Sequence, residues 1–75
     1  MDLRGTPCPL NFIRTQLALE KLPSGEQLEV LLDAGEPDAL VCGALQGDGA
    51  AAALVQQMQR QRQSDGSVRL LIIRA

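Results

Sequence analysis

Apolar and polar residues alternate in two segments of the chain, which is the pattern of strands with one buried face. In residues 26–33 the better buried positions are predicted to be Leu28, Val30 and Leu32. In residues 68–74, after a turn predicted at residues 64–67, they are Val68, Leu70 and Ile72. A shorter segment around Leu3 ends at residues 5–7, which break regular structure, and predicts a first strand.

Two other segments have the 3.6-residue periodicity of amphipathic helices. The first covers residues 10–22, directly after Pro9, and its predicted core stripe is Phe12, Thr15, Ala18, Leu19 and Leu22. The second opens at residues 35–37 and closes near residues 47–49, with the stripe Leu40, Val41, Ala44 and Leu45. The first helix also carries a second apolar set that a single sheet would leave uncovered: Leu10, Ile13 and Leu17.

Residues 50–63 fit two kinds of structure. Their alanine, glutamine and arginine content favours a helix, whereas their place before a turn favours a strand. We prefer the strand, as one arm of an extended hairpin with residues 68–74. The chain then has an α+β fold: a two-layer βαβαββ sandwich with both helices on one face of a mixed four-stranded sheet. The opposite sheet face is left for a partner and includes Leu31, Leu71 and Ile73.

Length and charge limit the function. With 75 residues the chain is expected to form one domain over residues 1–75. No run reaches the roughly 20 apolar residues that cross a bilayer, so we expect a cytoplasmic protein without membrane contact, acting as a monomer. The net charge is −2 and Phe12 is the single aromatic residue, which argues against direct nucleic-acid binding.

Cysteine chemistry is the main candidate activity. The chain has two cysteines and no histidine, so we expect neither a metal or other cofactor nor a histidine-activated nucleophile. Cys8 precedes Pro9 at a helix start, where free backbone NH groups and the helix dipole lower the pKa of a thiol. We expect Arg4 and Arg14 to add positive potential. Position alone leaves open whether Cys8 is reactive or an inert thiol, whereas Cys42, within the second helix, is expected to be buried and unreactive.

Residues 2–14, which read DLRGTPCPLNFIR, resemble the opening of the TusA (SirA-like) sulfur carrier family. That family begins with an Asp, a Gly and a Cys-Pro-x-Pro motif that starts a helix, and the matching residues here are Asp2, Gly5, Cys8 and Pro9. The resemblance extends over residues 23–37 and so covers about half the chain. It implies that Cys8 accepts sulfane sulfur as a persulfide from a cysteine desulfurase or similar donor. The sulfur would then pass to an acceptor protein, for example in a tRNA thiolation relay.

The supporting residues predicted around Cys8 are Gly5, Pro9, Asn11 and Arg14. Gly5 and Pro9 match the family motif, and Arg14 is included for its positive charge near Cys8 in sequence. Asn11 replaces the second motif proline, and we expect a modest effect because a backbone NH at this helix position would lack a partner in either case. Together, Leu10, Ile13, Arg14 and Leu17 form what we call the helix patch, which is predicted to dock the sulfur donor or acceptor.

Other functions remain to be distinguished. The main alternative is a non-catalytic protein-binding or regulatory module of the same fold. A redox switch between Cys8 and Cys42 would need their Cα atoms within about 7 Å. The placement of one cysteine at the start of the first helix and the other within the second helix argues against it. An independent enzyme is the weakest reading, because one thiol without histidine or metal cannot supply both acid and base. A carrier that acts with partner enzymes does not have to supply an acid and a base itself.

Overall fold

The computed structural model describes residues 1–7, 9–47 and 49–75, so Cys8 and Asp48 lie outside the described residues. These residues include two α-helices, α1 (Leu10–Lys21) and α2 (Glu36–Gln46). Three strands form the sheet: β1 (Gln27–Leu32), β2 (Val55–Arg62) and β3 (Val68–Arg74). A short 3-10 helix, Ala52–Leu54, leads into β2.

The two C-terminal strands form the predicted hairpin. Strand β3 is central and pairs antiparallel with β1 on one side and β2 on the other. The hairpin closes where the NH of Gln63 donates to the carbonyl of Ser67 at 2.8 Å. Residues 50–63 are therefore mainly a strand, as preferred, with a 3-10 turn at the start instead of a continuous helix.

The prediction of a mixed four-stranded sheet is wrong. The described residues form a three-stranded antiparallel sheet, and the N-terminal segment adds an isolated parallel bridge between Asp2 and Leu31. The NH of Leu3 donates to the carbonyl of Leu31 at 2.8 Å, but the chain turns away at Gly5, whose φ of +80° suits glycine. The segment is too short to extend the pairing, although Leu3 is buried with 1% of its surface exposed.

One face of the sheet forms the core, and both helices cover it. The alternation in β1 and β3 is confirmed at five completely buried residues: Val30, Leu32, Val68, Leu70 and Ile72. The helices contribute Leu19 from α1 and Val41 and Leu45 from α2 to the same cluster. The helices therefore share one side of the sheet, as predicted, and the other side remains open.

The predicted helix stripes need three corrections. In α1 the buried positions are Asn11, Thr15 and Leu19, spaced four residues apart, so Asn11 belongs to the core side although it is polar. Ala18 in α1 is half-buried, and in α2 Leu40 is exposed over 39% of its surface. The buried face of each helix is therefore rotated slightly about the helix axis from the face that the apolar residues alone predict.

An ion pair links α2 to the edge strand β2. Asp38, in the first turn of α2, has a buried side chain, and the Nε of Arg60 donates to both of its carboxylate oxygens at 3.0 Å. The Nη2 of Arg60 also pairs with Asp38. Arg60 lies opposite Leu70 in the strand register, so it emerges on the core side of the sheet. The hydrogen bonds from Arg60 lower the pKa of Asp38 below its ordinary value.

Cys42 belongs to the same cluster. Its Sγ donates to Asp38 Oδ1 at 3.1 Å, one helical turn away. The side chain is half-buried rather than buried as predicted. Burial, with the hydrogen bond to Asp38, raises the pKa of the Cys42 thiol to about 12, which suppresses the reactive thiolate.

We predict that Arg60→Met lowers the free energy of unfolding at pH 7 by about 1–3 kcal/mol, because the buried Asp38 carboxylate loses its charged partner. A carboxyl whose pKa is lowered in the folded state stabilises the folded protein at pH values above its unfolded pKa of about 4. That contribution is lost as the pH falls from there through the folded pKa. Urea unfolding should therefore show the gap between the two proteins shrinking from pH 6 toward pH 3. Arg14→Met, an exposed arginine on α1 that makes no ion pair with a described residue, is the control and should change stability little. An equal loss in both variants would contradict this role of Asp38.

We also predict slow labelling of Cys42. At pH 8 a thiol with a pKa near 12 should react with iodoacetamide about a thousandfold more slowly than an unperturbed thiol, because about one molecule in ten thousand is thiolate. The measurement uses the Cys8→Ser variant, so that Cys42 is the sole cysteine, with the urea-unfolded variant as reference. Similar rates in the folded and unfolded states would refute the prediction.

Candidate functional site

Helix α1 begins directly after the Cys-Pro pair. Cys8 itself lies outside the described residues, but both flanking prolines are described. The carbonyl of Pro7 accepts the NH of Asn11, and the carbonyl of Pro9 accepts the NH of Ile13, each at 3.1 Å. Pro9 occupies the N-cap position and Leu10 is the first helical residue. The predicted helix start is therefore confirmed, two residues after Cys8 in sequence.

Asn11 is more deeply integrated than expected. Its NH is hydrogen-bonded to Pro7, so the expectation of a partnerless NH is wrong. Its side chain is completely buried, and its Oδ1 accepts the NH of Phe12 at 2.7 Å. Its carbonyl accepts the Oγ1 of Thr15 at 2.9 Å. A proline at this position would remove the bond to Pro7, which is typically worth about 0.5–1.5 kcal/mol.

The loop before Cys8 is held by carboxylates from three parts of the chain. The NH of Gly5 donates to Asp33 Oδ2 at 2.6 Å. Arg4 bonds both oxygens of Asp2, through Nε at 3.0 Å and Nη2 at 2.8 Å. Its Nη1 reaches Asp65, in the turn between β2 and β3, at 3.2 Å. The loop is therefore connected to the end of β1 and to the hairpin turn.

These contacts change the expected electrostatics. Arg4 was expected to add positive potential near Cys8, but its charge is compensated by Asp2 and Asp65. The hydrogen bonds with Arg4 lower the pKa of Asp2 to about 2, and those with Asp2 raise the pKa of Arg4. Arg14, by contrast, is exposed and makes no ion pair with any residue that the structure describes. Of these two arginines, Arg14 is therefore the one whose charge is not compensated by an ion pair within the described residues.

The helix patch is exposed, as predicted. Leu10, Ile13 and Leu17 expose 46%, 45% and 50% of their surfaces. They follow the spacing of one helix face, and Arg14 belongs to the same face. The patch starts two residues after Cys8 and is separate from the buried set of α1. A docking role for it stays a prediction.

The open face of the sheet is mainly polar. Three glutamines, Gln27, Gln57 and Gln59, surround Leu71 and Ile73 in a depression of about 120 Å³. Beside it, Glu29 accepts the Nε of Arg69 at 2.9 Å, so the two charges compensate each other. This face of the sheet has the apolar residues that were predicted for it, but glutamine side chains surround them.

Asp33 and Asp65 were missed by the sequence reasoning. They lie 28 and 61 residues from the loop residues that they contact, and no local spacing indicates such a contact.

The described residues, 1–7, 9–47 and 49–75, contain no helix with the length and apolar content of a membrane span. The same residues contain no group of three metal-binding side chains of the His, Cys, Asp and Glu types.

The fold is similar to that of a solved crystal structure, a SirA-like protein from Desulfitobacterium hafniense. The TM-score is 0.77, over 97% of this chain and 92% of the other, with 22% sequence identity. At this identity the likeness shows the shared fold.

Two sequence comparisons give information on the family in addition to the fold. A protein of Archaeoglobus fulgidus described as "Putative sulfur carrier protein" is 52% identical over 33 residues. That match covers 44% of this chain and 38% of the relative, so it spans less than half of each. The family described as "Sulfurtransferase TusA" matches residues 1–74, almost the entire sequence. On this match, the chain belongs to the TusA sulfurtransferase family.

Proposed function

We propose that the protein is a sulfur carrier that holds a transferable sulfur atom as a persulfide on Cys8. The observation that carries the proposal is the family match over residues 1–74 together with the Cys-Pro sequence before α1. A cysteine desulfurase or similar persulfide donor supplies the sulfur, and an acceptor protein, for example in a tRNA thiolation relay, receives it. Residues 1–75 act in this as one domain, with the helices and sheet sharing a core.

The proposed chemistry is thiol exchange. The Cys8 thiolate attacks the outer sulfur of a donor persulfide, the donor S–S bond breaks, and the donor cysteine leaves as thiolate. A new S–S bond then joins Cys8 to the transferred sulfur. An acceptor thiolate attacks that sulfur in the next step and Cys8 is restored. Electrons balance in both steps, so the carrier itself needs no oxidant or reductant.

The start of α1 suits an anionic sulfur. The positive end of the helix dipole favours a thiolate or persulfide anion, and no acidic residue lies in the first turn. The NH groups of Asn11, Phe12 and Ile13 are already hydrogen-bonded within the chain, so the dipole is the contribution that remains. Pro9 and Gly5 shape the backbone on either side of Cys8, and Asn11 packs the first turn against the core. Arg14 adds a positive charge about two turns from the thiol in sequence.

The helix patch is the proposed docking surface for the donor or acceptor. Its three aliphatic side chains are exposed together beside the cysteine, which is where a partner must approach to exchange sulfur. Arg14 would then meet an acidic group of the partner. The same exposed patch also supports the alternative function, a protein-binding or regulatory module in which Cys8 carries no sulfur.

We predict that Cys8 is the sole sulfur-carrying residue. After incubation with a cysteine desulfurase and cysteine, intact-mass spectrometry should show an added mass of about 32 Da, one sulfur atom, in the parent and in Cys42→Ser. The addition should be lost in Cys8→Ser because the acceptor thiol is gone. Sulfur on Cys42, or none on either cysteine with several donors, would instead favour the binding-module function.

We further predict that Arg14→Glu slows sulfur transfer roughly fivefold or more at low salt, because reversing a charge at the rim of an interface mainly reduces the association rate. The difference should shrink at high salt, where exposed charges are screened. Arg62→Glu makes the same charge change on β2, away from α1, and is the matched control. Equal slowing in both variants would exclude a specific role for the helix patch.

A further inference from the structure

On the N-terminal side of Cys8, the loop residue Gly5 is bonded to Asp33 at the end of β1. The Oδ2 of Asp33 accepts the NH of Gly5 at 2.6 Å, three residues before the cysteine. We propose that Asp33 is a positioning residue for Cys8, fixing the loop that carries the thiol by holding the backbone of Gly5. This inference rests on the proposed function, because it assigns Asp33 a part in sulfur transfer.

Asp33 is well placed for this role because its own backbone is anchored. It follows β1 directly, and the preceding Leu32 is completely buried in the core. Gly5 has a φ of +80°, a conformation that other residues rarely adopt, so the turn at this position favours glycine. The hydrogen bond therefore connects this turn to the end of β1, next to a completely buried residue.

The described residues between Gly5 and α1 have contacts of their own. Pro7 and Pro9 have restricted φ angles. The carbonyl of Pro7 accepts a hydrogen bond from the NH of Asn11, and the NH of Thr6 donates to the carbonyl of Leu3 at 3.0 Å. A shift of Gly5 would therefore also disturb Thr6 and Pro7, and Pro7 is next to Cys8 in sequence.

Asp33 is a better candidate than the arginine pairs of the same loop. Arg4 bonds two carboxylates, so the loss of either one leaves it the other. These pairs are also exposed on both sides, and exposed ion pairs contribute little. The Gly5–Asp33 bond is also exposed, but it fixes a backbone NH directly and needs no long side chain to be ordered on the loop. Its acceptor is charged and lies at 2.6 Å, and hydrogen bonds of that type are the stronger ones.

The test compares Asp33→Asn with Asp33→Ala, both in a Cys42→Ser background. Each variant removes one negative charge, so both change the potential at Cys8 equally. Only asparagine keeps an oxygen acceptor for the Gly5 NH. A difference between the two variants therefore reports the hydrogen bond rather than the charge.

Sulfur transfer from a cysteine desulfurase with cysteine is measured at 20 °C by the rate of mass gain on the carrier. We expect Asp33→Ala to reduce kcat about tenfold with KM little changed, because the thiol is misplaced while the helix patch is intact. Asp33→Asn should stay within about threefold of the parent. Glu26→Ala, at the opposite end of β1, is the control for loss of an exposed carboxylate and should match the parent.

Equal rates in Asp33→Ala and Asp33→Asn would overturn the positioning role. Thermal unfolding of both variants is measured alongside, and both must be fully folded at 20 °C, so that a loss of rate cannot arise from unfolding. If the parent itself gains no sulfur, the proposed function fails. The alkylation rate of Cys8 with iodoacetamide in the alanine and asparagine variants then still decides whether Asp33 positions the thiol, since equal rates would refute it.

Discussion

The structure depends on the single buried face of its three-stranded sheet. Strand β3 lies between β1 and β2, and its alternate residues Val68, Leu70 and Ile72 are completely buried. A domain of this size has little apolar surface to bury, so both helices must cover the same face to complete one core. Helix α1 is thereby held with Asn11, Thr15 and Leu19 inward, and its start is placed at the edge of the core.

The site is connected to this core at three points. Leu3 is buried and bonded to β1, Gly5 is bonded to Asp33 at the end of β1, and Asn11 is buried in the first turn of α1. A cysteine located between these contacts in sequence has anchored chain on both sides. A small carrier needs such anchoring, because it offers a single sulfur atom to a partner's active site instead of enclosing a substrate.

The two cysteines occupy contrasting settings. Cys42 is half-buried, donates to Asp38, and has a raised pKa, since a thiolate there would face a carboxylate at hydrogen-bond distance. Cys8 precedes a helix whose first turn has no acidic residue. In addition, Arg4 is compensated by carboxylates whereas Arg14 is not paired within the described chain. These settings separate a structural thiol from the one proposed to carry sulfur.

Local sequence patterns determined β1, β3, the hairpin turn and the start of α1, because alternation, turn residues and the Cys-Pro pair act over a few positions. The family motif likewise indicated Cys8 as the candidate sulfur-carrying residue without any structure. Only the tertiary structure decided that the N-terminal segment adds a bridge and not a strand, since Gly5 turns the chain away after Leu3. It also decided the burial of Asn11 and the compensation of Arg4 by Asp65, a residue 61 positions away. Contacts between distant segments depend on how helices and strands pack, and no local pattern encodes them.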